Sequence, residues 1–197
     1  MATREISEAQ SPDFAHALRS LHETRLRPEV RLTEVPAPTR LAPHAVAMTA
    51  DIVDSDDGED LATGRFVLLH DPSAPEPWGG AWRIVTFARA ELEPEVAGDP
   101  MLGAVGWSWL TDALDQRKTT YRAAAGTTTA VLSHSFGQIA GDPEENRVEL
   151  RASWTPDIEE THDIVDHLMA WQDLLCLTCG IQPVPDGVVS IAPRRAR

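Results

Sequence analysis

Among the side chains able to do chemistry, the two cysteines come first. Cys176 and Cys179 form a Cys-x-x-Cys pair. A redox pair needs its first thiol at a helix N-terminus, where the dipole lowers the thiol pKa. Here the pair sits at the C-terminus of an expected helix, just before Gly180, where the dipole acts in the opposite sense. Zinc would require two further ligands. His162 and His167 lie at least nine residues upstream, roughly 13 Å or more along a helix axis at 1.5 Å per residue, so within one protomer they cannot share a metal with the cysteines. Buried structural thiols are expected, and no metal or cofactor is implied.

The remaining polar sets are equally incomplete. His162, Asp163, Asp166 and His167 give i,i+4 Asp/His pairs, but the histidines stand five apart and read as a solvated charged face. Asp54, Asp56, Asp57, Glu59 and Asp60 evoke a calcium loop. Counted from Asp54, however, glycine falls at position five and Arg65 at position twelve, where an EF-hand wants glycine at six and glutamate at twelve. Ser133-His134-Ser135 and His70-Asp71 are the only hints of a nucleophile system. Strand neighbours point to opposite faces, so His134 does not share a face with its serines, and no Gly-x-Ser-x-Gly elbow is present. Glu91, Glu93 and Glu95 end a strand, where exposure is expected to keep them from acid–base work. Neither a dinucleotide fingerprint nor a Walker A sequence occurs.

Aromatic residues carry a second signal. Six tryptophans stand against one tyrosine. Trp82, Trp109, Trp154 and Trp171 fall on inward stripes. Trp78 lies in a Pro/Gly loop. Trp107 is two residues from Trp109, about 200° away around a helix, so the two cannot both face one sheet. Trp78 or Trp107 is expected on a partner surface.

The bulk properties narrow the class. The chain has 197 residues, 42% of them hydrophobic, and a chain of that size buries roughly 70% of its unfolded surface. The net charge of −14 and pI of about 4.8 disfavour direct binding to nucleic acid or anionic membranes. Arg25, Arg27, Arg31 and Arg40, and then Arg194, Arg195 and Arg197, read as a solvated helix end and a solvated tail. Two cysteines in a chain this long, with no signal peptide and no run of about 18 apolar residues, imply a cytoplasmic protein.

The elements that must position these residues follow from periodicity. Residues 1–10 are expected to be disordered, residues 11–191 to form a single α+β domain, and residues 192–197 a basic tail. Ser11 and Pro12 open a helix that ends near Thr24. Val30, Leu32 and Glu34 form a short edge strand. Strands follow at 45–53, 61–70 and 81–93, joined by short loops as an antiparallel meander. A helix near 99–117 has an expected buried stripe of Leu102, Val105, Trp109, Ala113 and Leu114. Strands at 119–137 and 147–155 make a hairpin, and a helix over 157–179 is capped by Gly180. The order α-βββ-α-ββ-α gives an antiparallel sheet of five or six strands with three helices. Helices on one face only would leave the other face seeking a partner, which favours a homodimer.

At GRFVLLHDP (64–72), RAELEPE (89–95), GWSWL (106–110), SHSFG (133–137) and RASWTP (151–156), the chain resembles a bacterial protein family of unknown function, DUF3000. LRPEVRL (26–32) and AWQDLLC (170–176) belong to the same pattern, and the likeness runs from about residue 13 to 190. The resemblance implies no activity. It does imply an association with a ribonuclease D-like protein as a partner. The element order alone also resembles type III secretion chaperones, homodimers that bind extended protein segments.

The resulting expectation is a non-catalytic, protein-binding or chaperone-like adaptor acting as a homodimer, with neither nucleic acid nor membrane as a direct partner. The alternative is an enzyme or small-ligand binder. Its site would gather Arg27, Glu29, Arg31, His70, Asp71, Glu91, Glu93 and His134 at one end of the sheet.

Overall fold

A computed structural model describes residues 11–53, 60–140, 145–158 and 163–182. The expected disordered N-terminus and basic tail, most of the acidic turn after Val53, and His162 lie outside the described residues.

Helix α1 (Pro12–Glu23) starts where the sequence demands. Pro12 occupies a position whose N–H would have no helical partner, and Ala15 N–H donates to the Ser11 carbonyl at 2.9 Å. Phe14, Ala17 and Leu21 are its buried face. Strands β1 (Val30–Val35), β2 (His44–Val53), β3 (Asp60–His70) and β4 (Trp82–Glu91) follow as an antiparallel meander. A one-turn helix α2 (Pro94–Ala97), which the periodicity does not announce, leads into α3 (Leu102–Gln116). Strands β5 (Tyr121–Leu132) and β6 (Asn146–Pro156) make the hairpin, and α4 (Asp163–Thr178) ends the described chain.

The six strands lie in the order β1-β2-β3-β4-β6-β5, every neighbour antiparallel. The chain leaves β4, crosses by α2 and α3 to the far edge, and β6 then returns between β4 and β5. Period-two alternation puts Phe66, Leu68, Ile84, Ala88, Leu150 and Trp154 on the helix-covered face, where all are buried. There they meet Phe14 and Leu21 of α1, Leu110 and Leu114 of α3, and Leu168, Trp171 and Leu175 of α4 in one core. Trp171 Nε1–H donates to the Phe87 carbonyl at 3.3 Å. Gly180, at φ +79°, closes α4 with the paired bonds of a Schellman motif: Ile181 N–H to the Cys176 carbonyl at 2.8 Å and Gly180 N–H to the Leu177 carbonyl at 3.1 Å.

The α3 stripe is turned relative to expectation. Leu102, Gly106, Leu110, Ala113 and Leu114 are buried, whereas Val105 is exposed. The helix approaches β5 through Gly106, where a Cβ would stand 2.9 Å from the Thr128 side chain. Turning the helix to seat Gly106 rotates Leu110 inward and Val105 outward. No helix among the described residues is long and apolar enough to cross a membrane.

Candidate functional site

The second face of the sheet carries no helix. Cross-strand register places its side chains in rows. One row runs Thr49, Arg65, Phe87, Arg151, Thr127, and the next Ala47, Val67, Val85, Ser153, Ala125. To one side lies Asp51, Thr63, Arg89, Glu149, Thr129, with Arg31 opposite Asp51. To the other lies Leu69, Arg83, Thr155, Arg122. Arg147 adds to the face opposite Glu91.

Among the described residues, seven arginines therefore share a face with three carboxylates in register, Asp51, Glu91 and Glu149, and with Glu145 and Asp157 reaching in from its ends, in a chain whose net charge is −14. The total charge hides this local reversal.

Several of these cations are already paired. Arg89 meets Glu91 at 3.0 Å and Glu145 at 3.4 Å, and Arg151 meets Glu149 at 2.8 Å. Arg147 holds Glu149 at 3.1 Å as well as Glu145, and Arg122 pairs with Asp157. Two are not. Among the described residues Arg65 donates to the Pro36 carbonyl alone, at 3.1 Å. Arg83 donates to neutral acceptors: the Ala123 carbonyl at 3.0 Å, Thr155 Oγ1 at 3.1 Å and Ser153 Oγ at 2.6 Å. Burial lowers the Arg83 pKa from its ordinary value, and the group remains a cation. The Arg151 guanidinium carbon sits 5.2 Å from the Phe87 ring centroid, a cation–π contact.

The loops after β1 and β3 cover one end of this face. Ala47, Val67 and Leu69 are buried beneath Trp78, Ala37 and Ala42. Beyond that cover, Arg65, Val67, Val85, Phe87, Arg151 and Ser153 line a groove of about 640 Å³. None of its lining residues is a carboxylate.

Edge strand β5 borders the groove. Apart from three half-buried positions its residues are exposed, and Arg122 is its only charge. A bulge between Arg122 and Ala125 leaves the remainder regular. On its helix side, Trp107 packs over Gly126, where a Cβ would be 2.6 Å from the indole. Leu132, Phe136 and Ile139 are exposed at its far end, as are Val96, Met101 and Val105 of α2 and α3.

The residues singled out from sequence do not converge. His70 and Asp71 stand at the Trp82 end of β4, and Glu91 and Glu93 at its other end, roughly 30 Å away at about 3.3 Å per residue. His70 is buried in a stack with Trp82 (centroids 4.1 Å apart), His44 and Phe14, and its Nδ1 lacks a hydrogen-bond partner. Burial, then the neighbouring His44, lowers its pKa. Hydrogen bonds from Ser73 lower the pKa of Asp71. Arg27 and Glu29 pair at 3.4 Å. Arg27 is mostly buried rather than solvated, its backbone N–H donating to Gln172 Oε1 at 2.7 Å and its guanidinium to the Gln182 carbonyl at 2.9 Å. Arg31 lies on the open face of β1. Glu91 and Glu93 are exposed, and His134 stands beside Phe136 beyond β5.

Half-burial leaves an edge of Trp78 and of Trp107 accessible, whereas the expectation of a solvated His167 is corrected. Trp78 and Trp107, like Trp82 and Trp109, are half-buried on the two clusters, and Trp154 and Trp171 are fully buried. Both Trp107 and Trp109 are accommodated because α3 overlies edge strand β5 and seats one indole on Gly126. The exposed aromatic ring is Phe136, at 78%. His167 is not solvated. It is buried, its Nδ1 accepts from Trp154 Nε1–H at 3.1 Å, and burial pushes its pKa down to about 4.

The thiols are free, Cys176 buried and Cys179 half-buried. Burial pushes Cys176 up to about 12 and raises Cys179. Among the described residues no group of three or more His, Cys, Asp or Glu side chains is placed to hold a metal ion.

The open-face arginines were each visible in the sequence. Their alternation with apolar residues in GRFVLL and AWRIVTFARAE was a signal that they share one face, but their register was not.

The chain belongs to the family described as "Protein of unknown function (DUF3000)", whose model matches residues 10–189. No curated protein and no solved structure is significantly similar to it.

Proposed function

We propose that this chain is a non-catalytic, protein-binding adaptor that acts as a homodimer through β5. The observation that supports this reading is the β5 edge itself. Monomeric proteins protect sheet edges with charges, prolines, bulges or covering loops. Twelve residues of β5 carry one charge, at the end that the bulge already distorts, and the rest are alanine, glycine, threonine, tyrosine and aliphatic residues. Such a strand is self-compatible. Antiparallel pairing about Thr128 sets Gly126 against Ala130 and Thr127 against Thr129 of a second copy, with no like charges opposed.

The open face does not suit that role. Two copies laid face to face would oppose their arginines, and like charges at an interface cost several kcal/mol. Edge pairing instead leaves both arginine faces free for a protein ligand and places the apolar side chains around Leu132 and Phe136 beside the seam. Two free thiols suit a reducing, cytoplasmic setting. A ribonuclease D-like protein is the one partner the family likeness suggests, and mixing it with the purified chain tests that link directly.

Multi-angle light scattering at micromolar concentration tests the seam. The full chain should run as a dimer, and Ala130→Lys should shift it to monomer with its circular dichroism unchanged. A native chain that is monomeric at every concentration would sink the proposal.

A further inference from the structure

The groove on the open face combines three features. Its floor is apolar (Val67, Val85, Phe87), its two cations are Arg65 and Arg151, the latter also paired with Glu149 at 2.8 Å, and no carboxylate is among its lining residues. Among the described residues Arg65 has only a backbone carbonyl as partner. We infer that this groove binds a short acidic segment of a partner protein. One apolar side chain rests on the Val67–Val85 floor, between two carboxylates that reach Arg65 and Arg151. The inference rests on the protein-binding reading above and names the chemistry of the ligand.

Geometry sets the spacing. Arg65 and Arg151 flank Phe87 in one row, on strands either side of β4. Two strand spacings separate them, roughly 10 Å, which about three residues of extended chain span. Arginine suits the task because its planar fork takes a carboxylate through two parallel bonds.

A nucleic acid fits the same surface less well. Single strands are held by stacking bases on aromatic faces. Here the Arg151 guanidinium lies over the Phe87 ring, and Trp78 is packed against Ala47 and Leu69. A long polyanion would also run off the groove onto a molecule of net charge −14. A short peptide meets the local charge and stops.

Fluorescence anisotropy provides the test at physiological ionic strength, with a short labelled peptide, Glu-Ser-Leu-Ser-Glu, whose leucine and two glutamates share one face of the extended chain. Binding should weaken about tenfold or more in Arg65→Ala and in Arg151→Ala. Arg19→Ala removes the same charge from the exposed side of α1 and should leave binding within about twofold. A lysine–leucine peptide of equal length should not bind. The inference is overturned if the acidic peptide fails to bind, or if Arg19→Ala weakens it as much as Arg65→Ala. It is also overturned if a single-stranded oligoribonucleotide binds more tightly and depends on the same two arginines. Unchanged thermal unfolding of the variants keeps misfolding from imitating a positive result. Light scattering on the same samples separates the two readings. A monomer that binds the peptide removes the β5 seam and leaves the groove, whereas a dimer that binds nothing removes the groove alone.

Discussion

The two faces of this sheet come from the same strands and the same alternation, yet they do opposite work. On the helix-covered face, Phe66, Leu68, Ile84, Leu150 and Trp154 are buried against three helices. On the other face, Ala47, Val67 and Leu69 meet loops at one end, and Arg65, Phe87 and Arg151 line the groove. Stability should reside on the first face and recognition on the second, because apolar burial supplies folding energy while exposed cations contribute little to it.

Substitutions can break or sharpen that contrast. The largest effect should come from Trp154→Ala, which empties a fully buried indole site and strands the His167 ring that it bonds. We expect a loss of about 4 kcal/mol by urea denaturation. Arg117→Ala should follow at about 3 kcal/mol, since it leaves the buried Asp173 carboxylate without the ion pair now made at 2.7 Å. A smaller loss in either case would mean that the covered face is less tightly built than its burial implies.

A pH series probes the same face. His167 has its folded pKa depressed to about 4 from 6.5, so on acidification the unfolded chain takes up the proton first. Stability is then fully present above pH 6.5 and is lost as pH falls toward 4, by about 2 kcal/mol between pH 7 and 5. Burial lowers His70 in the same direction. His167→Gln keeps an acceptor for Trp154 and should flatten the slope measured by denaturation across that window. An unchanged slope would assign the pH dependence elsewhere.

The smallest effect belongs to the open face. Arg65→Ala should alter stability by no more than about 0.5 kcal/mol, while its effect on the acidic peptide is about tenfold or more. If Arg65→Ala instead destabilised the fold as Trp154→Ala does, the division of labour between the faces would fail.

Much of the architecture was legible because it is local. Pro12 and Gly180 marked helix ends through backbone chemistry that depends on no distant residue. The inward sets Ile84–Thr86–Ala88 and Val148–Leu150–Ala152–Trp154 followed from period-two alternation. The α3 stripe was misread by one position because Val105 is as apolar as Leu110, and only the approach of Gly106 to Thr128 turns the helix. His167 looked solvated because its neighbours Asp163 and Asp166 are charged, whereas its partner Trp154 lies in another element.

The amino-acid order by itself determined which side chains share a face within each strand, and it placed an arginine beside an apolar residue several times over. It could not decide that Arg65, Phe87 and Arg151 would stand in one row. Side-chain alternation is a property of a single strand. The row depends on which strands pair and in what register, and β6 reaches its place beside β4 only after a crossover through α3 and β5. That long-range pairing, selected by burial of the opposite face, turned scattered cations in an acidic chain into one basic groove.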